Sequence, residues 1–158
     1  MNERTADSAR ESSPALDGEI RDGFHVMPVR VYYEDTDFSG IVYHASYLRF
    51  MERGRTNFLR LLGADQRALF AEAAQEAPGF AFVVRSMTLD FLAPARMDDV
   101  LTITTTPAEV KGASITLRQT VARGEEILVD AQVRVAFISG GRAQRIPKAL
   151  RIAMGGER

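Results

Sequence analysis

Side chains able to do chemistry crowd residues 33–47: Glu34, Asp35, Asp37 and His44, set among Tyr33, Tyr43 and Tyr47. A carboxylate here could act as a general base or a nucleophile, and the imidazole of His44 could act as its partner or as a ligand. Ser39-Gly40 interrupts the pattern after the acidic turn, and from about His44 the apolar spacing becomes helical. A carboxylate beside a helix start lies next to free N–H groups that suit a negative charge. Plainer readings stand beside this one. Asp favours turns for local hydrogen-bonding reasons, and a lone histidine near a helix start often caps or packs. The backbone N–H of His44 is a separate candidate, being among the first free donors of the helix. His25 has no acidic cluster beside it and is given no role. Glu52 is expected to pair with Arg49, Arg53 or Arg55 on its own helix.

The elements that must position these groups can be read from periodicity. Residues 25–33 form a β-branched and aromatic strand entered through Pro28. If that strand continued to Asp37, Asp35 and Asp37 would share a face. A long helix is expected from His44 to Leu62, with Leu48, Met51, Phe58 and Leu62 on one face. Tyr47, Phe50 and Leu61 widen that face, so the helix should be wrapped on several sides. Gly54 predicts close approach to a neighbour, and Gly63 a C-terminal stop. A short second helix is expected over 65–74. Strands are expected over 80–92, 100–106, 114–123 and 126–139, and a tail with one helical turn around Pro147. Strands joined by tight turns are antiparallel. The fold class is therefore α+β, an antiparallel β-sheet wrapped around one long central α-helix.

Composition narrows the function classes. The chain has 158 residues, a net charge of -1, two histidines and no cysteine. Disulfides, thiolate metal sites, cysteine nucleophiles and a three-histidine zinc site are excluded. Nothing in the charge balance suggests nucleic acid or an anionic membrane as partner. No apolar run approaches the roughly 18 residues of a transmembrane segment. Residues 1–22 read as a disordered N-terminal extension without a signal-peptide core, and residues 23–158 as one domain of cytoplasmic location.

The stretch Tyr33-Glu34-Asp35-Thr36-Asp37-Phe38-Ser39-Gly40-Ile41-Val42-Tyr43-His44-Ala45-Ser46-Tyr47 resembles the 4-hydroxybenzoyl-CoA thioesterase family, and most closely its YbgC-type, Tol-Pal-associated acyl-CoA thioesterases. The similarity continues through residues 82–88, 91–99 and 111–114 and covers most of 24–150, with the N-terminal segment and residues 73–79 departing from it. The resemblance implies the hotdog fold, subunits paired as a homodimer or homotetramer, and hydrolysis of an acyl-CoA without a cofactor or metal. Asp37 would be the catalytic carboxylate, as nucleophile or general base. His44 would polarise the carbonyl through its backbone N–H, its ring being a further candidate. Tyr33, Asp35, Gly40, Val42 and Tyr47 would shape the loop and the acyl pocket, and Lys111 and Arg96 would meet coenzyme A phosphates. Such chemistry is self-consistent, because a thioester is an activated acyl donor whose thiolate leaves readily.

Two rival readings remain. The same fold could serve as a weakly catalytic or non-catalytic scaffold that binds acyl groups or an acyl carrier protein. Asp35-Thr36-Asp37 after an apolar strand is also similar to the magnesium-dependent aspartyl-phosphate phosphatases. That motif requires parallel strands alternating with helices, whereas the C-terminal half reads as antiparallel.

Overall fold

A computed structural model describes residues 14–155. The chain runs α1 (Pro14–Asp17), β1 (Glu19–Arg21), β2 (Phe24–Arg30), a 3-10 turn (Tyr33–Asp35), α2 (Ser46–Asp65) and α3 (Arg67–Glu76). It continues through β3 (Ala81–Phe91), β4 (Val100–Lys111), β5 (Ser114–Arg123), β6 (Glu126–Ser139), β7 (Arg142–Ala143) and α4 (Lys148–Ala153). The strands form one antiparallel sheet in the order β1-β2-β4-β5-β6-β3, with β7 against the end of β6. Helix α2 packs on its inner face, which is the hotdog arrangement.

Period-two alternation accounts for the sheet. Ile115, Leu117, Val121, Val129, Val133 and Phe137 point inward and are buried, while Arg118, Gln132 and Arg134 between them are exposed. On the helix, Tyr47, Phe50, Met51, Gly54, Asn57, Phe58 and Leu62 are buried. Two apolar clusters result. One joins Tyr47, Phe50 and Met51 to Val29, Val31, Val42, Leu101 and Val129. The other joins Phe58 and Leu62 to Ile115, Val135, Phe137, Ile146 and Leu150. Each fully buried side chain of this size contributes about 1.5–3 kcal/mol.

Between the clusters the helix makes its closest approach to the sheet. A Cβ on Gly54 would lie 3.0 Å from Ile103, 3.1 Å from Thr105 and 3.2 Å from Gln119. The fully buried Gln119 amide donates to the Met51 carbonyl oxygen at 2.9 Å and to Thr105 Oγ1 at 2.8 Å, and its oxygen accepts from Arg55 at 2.9 Å. Every polar atom of that amide oxygen–nitrogen pair thus has a partner, as burial demands.

Several expectations need correction. Residues 14–22 are not a disordered extension: β1 pairs with β2, and the His25 ring nitrogen Nε2 lies 2.7 Å from the Asp17 carbonyl oxygen. The short hairpin gives these residues backbone partners that their polar composition conceals. Residues 1–13 lie outside the described residues. Helix α2 begins at Ser46 rather than His44 and passes through Gly63, whose missing side chain makes room for Phe70 at 3.3 Å. Leu48, expected on the apolar face, is 37% exposed, so the buried stripe of α2 is narrower than the spacing suggests. Helix α3 covers 67–76 rather than 65–74. Strand β4 extends to Lys111 across a bulge at Pro107–Glu109. The polypeptide from β3 crosses to the other side of the sheet, so β3 borders β6 and not β4.

His25 tests the closure of the N-terminal hairpin. It is fully buried against Phe58, its Nδ1 has no hydrogen-bond partner, and burial pushes its pKa below the ordinary value. A histidine held neutral when folded stabilises fully above its unfolded pKa of about 6.5, and that contribution is lost as pH falls from there toward the lower folded value. Thermal melts between pH 7 and pH 5, as an approximate window around that pKa, are expected to show a steeper loss of Tm in the wild type than in His25→Gln. Parallel curves for the two proteins would contradict this assignment.

Candidate active site

The acidic segment does not continue β2. It folds into the 3-10 turn and then a small hairpin, in which Thr36 bridges Val42 and the Asp37 N–H donates to the Ile41 carbonyl at 2.9 Å. Gly40 sits at φ +79°, the conformation that closes such a loop without a side-chain clash, and its N–H donates to the Asp37 carbonyl at 3.0 Å. The turn separates the two aspartates. Asp35 is buried, and its carboxylate accepts the Tyr32 N–H at 2.8 Å. The Asp35 carbonyl accepts from the Tyr43 N–H at 2.9 Å and from the Ser46 hydroxyl at 3.1 Å. Asp35 thereby ties the loop to the head of α2.

Asp37 instead stands exposed on the loop, with Oδ1 accepting the Ser39 N–H at 2.8 Å and Oδ2 without a partner among the described residues. Phe38 beside it is fully exposed. His44 occupies the turn before α2, its ring 4.5 Å from that of Tyr43 and 6.2 Å from that of Phe91. Among the described residues, no hydrogen bond or ion pair joins that ring to Asp37, and the His44 N–H donates to no protein acceptor. An open carboxylate oxygen and a free backbone donor therefore lie on neighbouring turns, a pairing able to activate an oxygen nucleophile and to receive an oxyanion.

Tyr47 and Val42 are buried. Tyr47 packs against Phe50 and Phe91, and its hydroxyl oxygen accepts the Ala95 N–H at 3.2 Å. Burial pushes the phenol upward from its ordinary pKa and keeps it neutral. The Val42 N–H donates to the Ala95 carbonyl at 2.8 Å, and Ile41 bridges Arg96. That second loop is braced by Asp99, which accepts the Arg96 N–H at 2.9 Å and pairs with Arg123 at 2.8 Å. The Arg96 N–H, and after it Arg123, hold the Asp99 carboxyl below the usual range.

Of the sequence-predicted residues, Asp35, Asp37, Gly40, Val42, His44 and Tyr47 come together here, with Arg96 adjacent. Tyr33 lies in the 3-10 turn and is 82% exposed. Lys111 is not brought to them within the chain. It ends β4 while Val100, beside Arg30, begins it, a separation of roughly 30 Å or more at about 3.3 Å per residue. Glu52 forms no ion pair with Arg49, Arg53 or Arg55 among the described residues; Arg53 stacks over Phe50 at 5.8 Å. Ala95, Asp99, Arg123 and Phe91 escaped the sequence reading. Phe91, Ala95 and Asp99 lie in the segment 91–99 that carries the resemblance, whereas Arg123 ends β5 and had no signal of its own.

The thioesterase superfamily model matches residues 39–129. The chain belongs to this superfamily. It is 43% identical over 129 residues to the acyl-CoA thioesterase YbgC of Haemophilus influenzae, covering 80% of this chain and 91% of that protein. It is 47% identical over 112 residues to the acyl-CoA thioester hydrolase YbgC of Escherichia coli O6:H1, covering 70% and 79%. Among solved structures it is similar to a probable thioesterase from Bartonella henselae, with a TM-score of 0.63, 42% identity and coverage of 78% and 98%. The family is reached through the fold and the loop together, since the matched region contains the turn at Ser39-Gly40, the whole of α2 and the brace around Asp99. The described residues contain no cluster of His, Cys, Asp and Glu able to hold a metal, and no helix long and apolar enough to cross a membrane.

The buried carboxylate of Asp35 provides the local test. Asp35→Ala removes the acceptor of the Tyr32 N–H and is expected to lower stability by about 2 kcal/mol in urea denaturation. Asp35→Asn keeps an acceptor oxygen and should recover part of that loss. Equal stability of all three proteins would show that the loop does not depend on this bond.

Proposed function

We propose that this chain hydrolyses acyl-CoA thioesters to a free acid and coenzyme A, with Asp37 as the working carboxylate and the His44 N–H as donor to the carbonyl oxygen. The observation that carries the reading is an Asp37 Oδ2 with no partner among the described residues, on the loop that leads into the family match at residue 39, followed by an unpaired N–H ahead of α2. In the reaction, an oxygen adds to the thioester carbonyl, negative charge gathers on the carbonyl oxygen, and the C–S bond breaks with departure of the thiolate. As a base, Asp37 takes the proton of the attacking water; as a nucleophile, it forms a mixed anhydride that water then opens. In a single turnover in ¹⁸O-water, label in the Asp37 carboxylate establishes the second route with water opening the anhydride at the Asp37 carbonyl carbon, whereas attack at the acyl carbon gives a labelled acid by either route. The free donor at His44 would be worth several powers of ten only if held rigidly, and the Asp35 bonds to Tyr43 and Ser46 supply that rigidity.

The same reading makes the protein a homo-oligomer of the cytoplasm, where acyl-CoA is found. Asp37 is exposed, and β3 pairs on one side with β6 and among the described residues has no strand on the other, with Val83, Val84 and Phe91 exposed along it. A second copy laid along β3 would exclude water from the site. Lys111 would reach a coenzyme A phosphate only across such an interface. An acyl carrier protein presents the same thioester and is the natural alternative donor.

Asp37→Asn is expected to melt as the wild type does and to lose roughly 10²–10⁴-fold in kcat. Thiol release from a panel of acyl-CoAs in the presence of EDTA provides the measurement. Near-normal turnover in the variant would sink the role of Asp37, absence of turnover with every substrate would favour a scaffold, and loss on chelation would point to a metal-dependent hydrolase. Analytical ultracentrifugation should give a mass at least twice that of the chain; a monomer would remove the shared-site model.

A further inference from the structure

A cavity of about 160 Å³ opens between the exposed side of α2 and the inner face of β3. Phe82, Leu117, Val135 and Met154 give it apolar walls, yet Arg55 and Glu52 also line it. Arg55 is half-buried and donates to the Gln119 amide oxygen at 2.9 Å. It has no carboxylate within ion-pairing distance among the described residues, and burial lowers its pKa from the ordinary value, with Glu52 opposing. A guanidinium carries five N–H donors, of which Gln119 accepts from one nitrogen. Holding such a cation against apolar walls is costly unless its donors are used.

We propose that this cavity binds the distal end of an acyl chain that terminates in an acceptor oxygen, a hydroxyl or a carboxylate, received by Arg55. The proposal rests on the thioesterase reading, since the chain entering the cavity would belong to the substrate whose thioester lies at the head of α2. Position agrees with that use. Arg55 follows Ser46 by nine residues, or about 14 Å along the helix at roughly 1.5 Å per residue, so it meets the far end of the chain and not the carbon beside the thioester. Size agrees as well. A cavity of about 150 Å³ admits benzene, so this one holds the last few carbons and their oxygen and not a long tail. A wholly apolar wall would favour a methyl terminus, whereas the unused donors of Arg55 lose their water to one. Glu52 on the same wall limits the net positive charge, which weighs toward a hydroxyl, and a carboxylate is the other arm of the test.

The experiment compares kcat/KM for medium-length acyl-CoAs matched in length and ending in methyl, hydroxyl or carboxylate. The wild type is expected to prefer an oxygen-ended chain by roughly 10-fold or more, the effect of one hydrogen bond to a charged group. Arg55→Met should abolish or reverse that preference, and Val84→Phe, which narrows the cavity without touching Gln119, should lower use of the oxygen-ended chains. Asp37→Asn should slow all three alike. A wild-type preference for methyl, or an unchanged ratio in Arg55→Met with native circular dichroism, overturns the proposal while leaving the thioesterase reading intact. Should no acyl-CoA be hydrolysed, that reading fails separately, and calorimetry with the matching free acids decides the cavity: binding lost in Arg55→Met supports it, and no binding by the wild type overturns it.

Discussion

The seating of α2 on the sheet at Gly54 is the contact on which the remaining geometry depends. A glycine in mid-helix sacrifices roughly 1 kcal/mol against alanine. What replaces it is proximity: a Cβ there would lie 3.0–3.2 Å from Ile103, Thr105 and Gln119, inside ordinary van der Waals contact. Gln119 then reaches the helix backbone itself at the Met51 carbonyl and anchors to Thr105 on the adjacent strand. A longer side chain at Gly54 would lift the helix. Phe50 and Tyr47, about one and two turns away toward its start, would lift with it.

From that seat, position passes outward through few bonds. Tyr47 takes the Ala95 N–H, Ala95 takes the Val42 N–H, and Val42 ends the small hairpin whose loop carries Asp37. Asp35 ties the other side of the same loop to Tyr43 and Ser46. The loop that carries the exposed aspartate is thus held from both flanks by buried groups. Arg123 extends the brace from β5 by fixing Asp99, so the sheet holds the second loop as the helix holds the first. An exposed loop with this many backbone partners is ordered by its hydrogen bonds and not by its own apolar contacts.

The strands and the long helix were legible because their signal is local. Residues 114–123 and 126–139 alternate without interruption, and the strand limits match those expected. Topology was less so: β3 pairs with β6 across the sheet, and no local pattern encodes a crossover of that kind. Helix limits failed where a glycine had two meanings. Gly63 reads as a terminator by type, while in the fold it admits the ring of Phe70. Leu48 failed for a related reason, since spacing gives a stripe but not the width of the surface that covers it. The acidic turn was visible as a place and not as a geometry. Whether Asp35 and Asp37 share a face depends on a 3-10 turn that propensity does not announce, and that turn buries one and exposes the other. The backbone N–H of His44 has no protein acceptor among the described residues, but it precedes the N-cap Ala45, so it is a donor of the turn before α2 and not one of the helix's own first donors.

Gln119 stood among apolar residues on the inner face of a strand, and a buried polar side chain there requires partners. Its nitrogen meets that requirement through the helix seat, and its oxygen meets it through Arg55. One amide therefore links two parts of the fold. The side that holds Met51 sets the height of α2 and, through Tyr47, the place of the loop. The side that holds Arg55 aims a guanidinium along the wall of the α2–β3 cavity. Because both are fixed by the same planar group, the distance from the head of the helix to the polar end of the cavity is set by the fold and not by a flexible side chain. Chain-length selection by such a protein would follow from a rigid ruler between a backbone donor at His44 and a cation at Arg55.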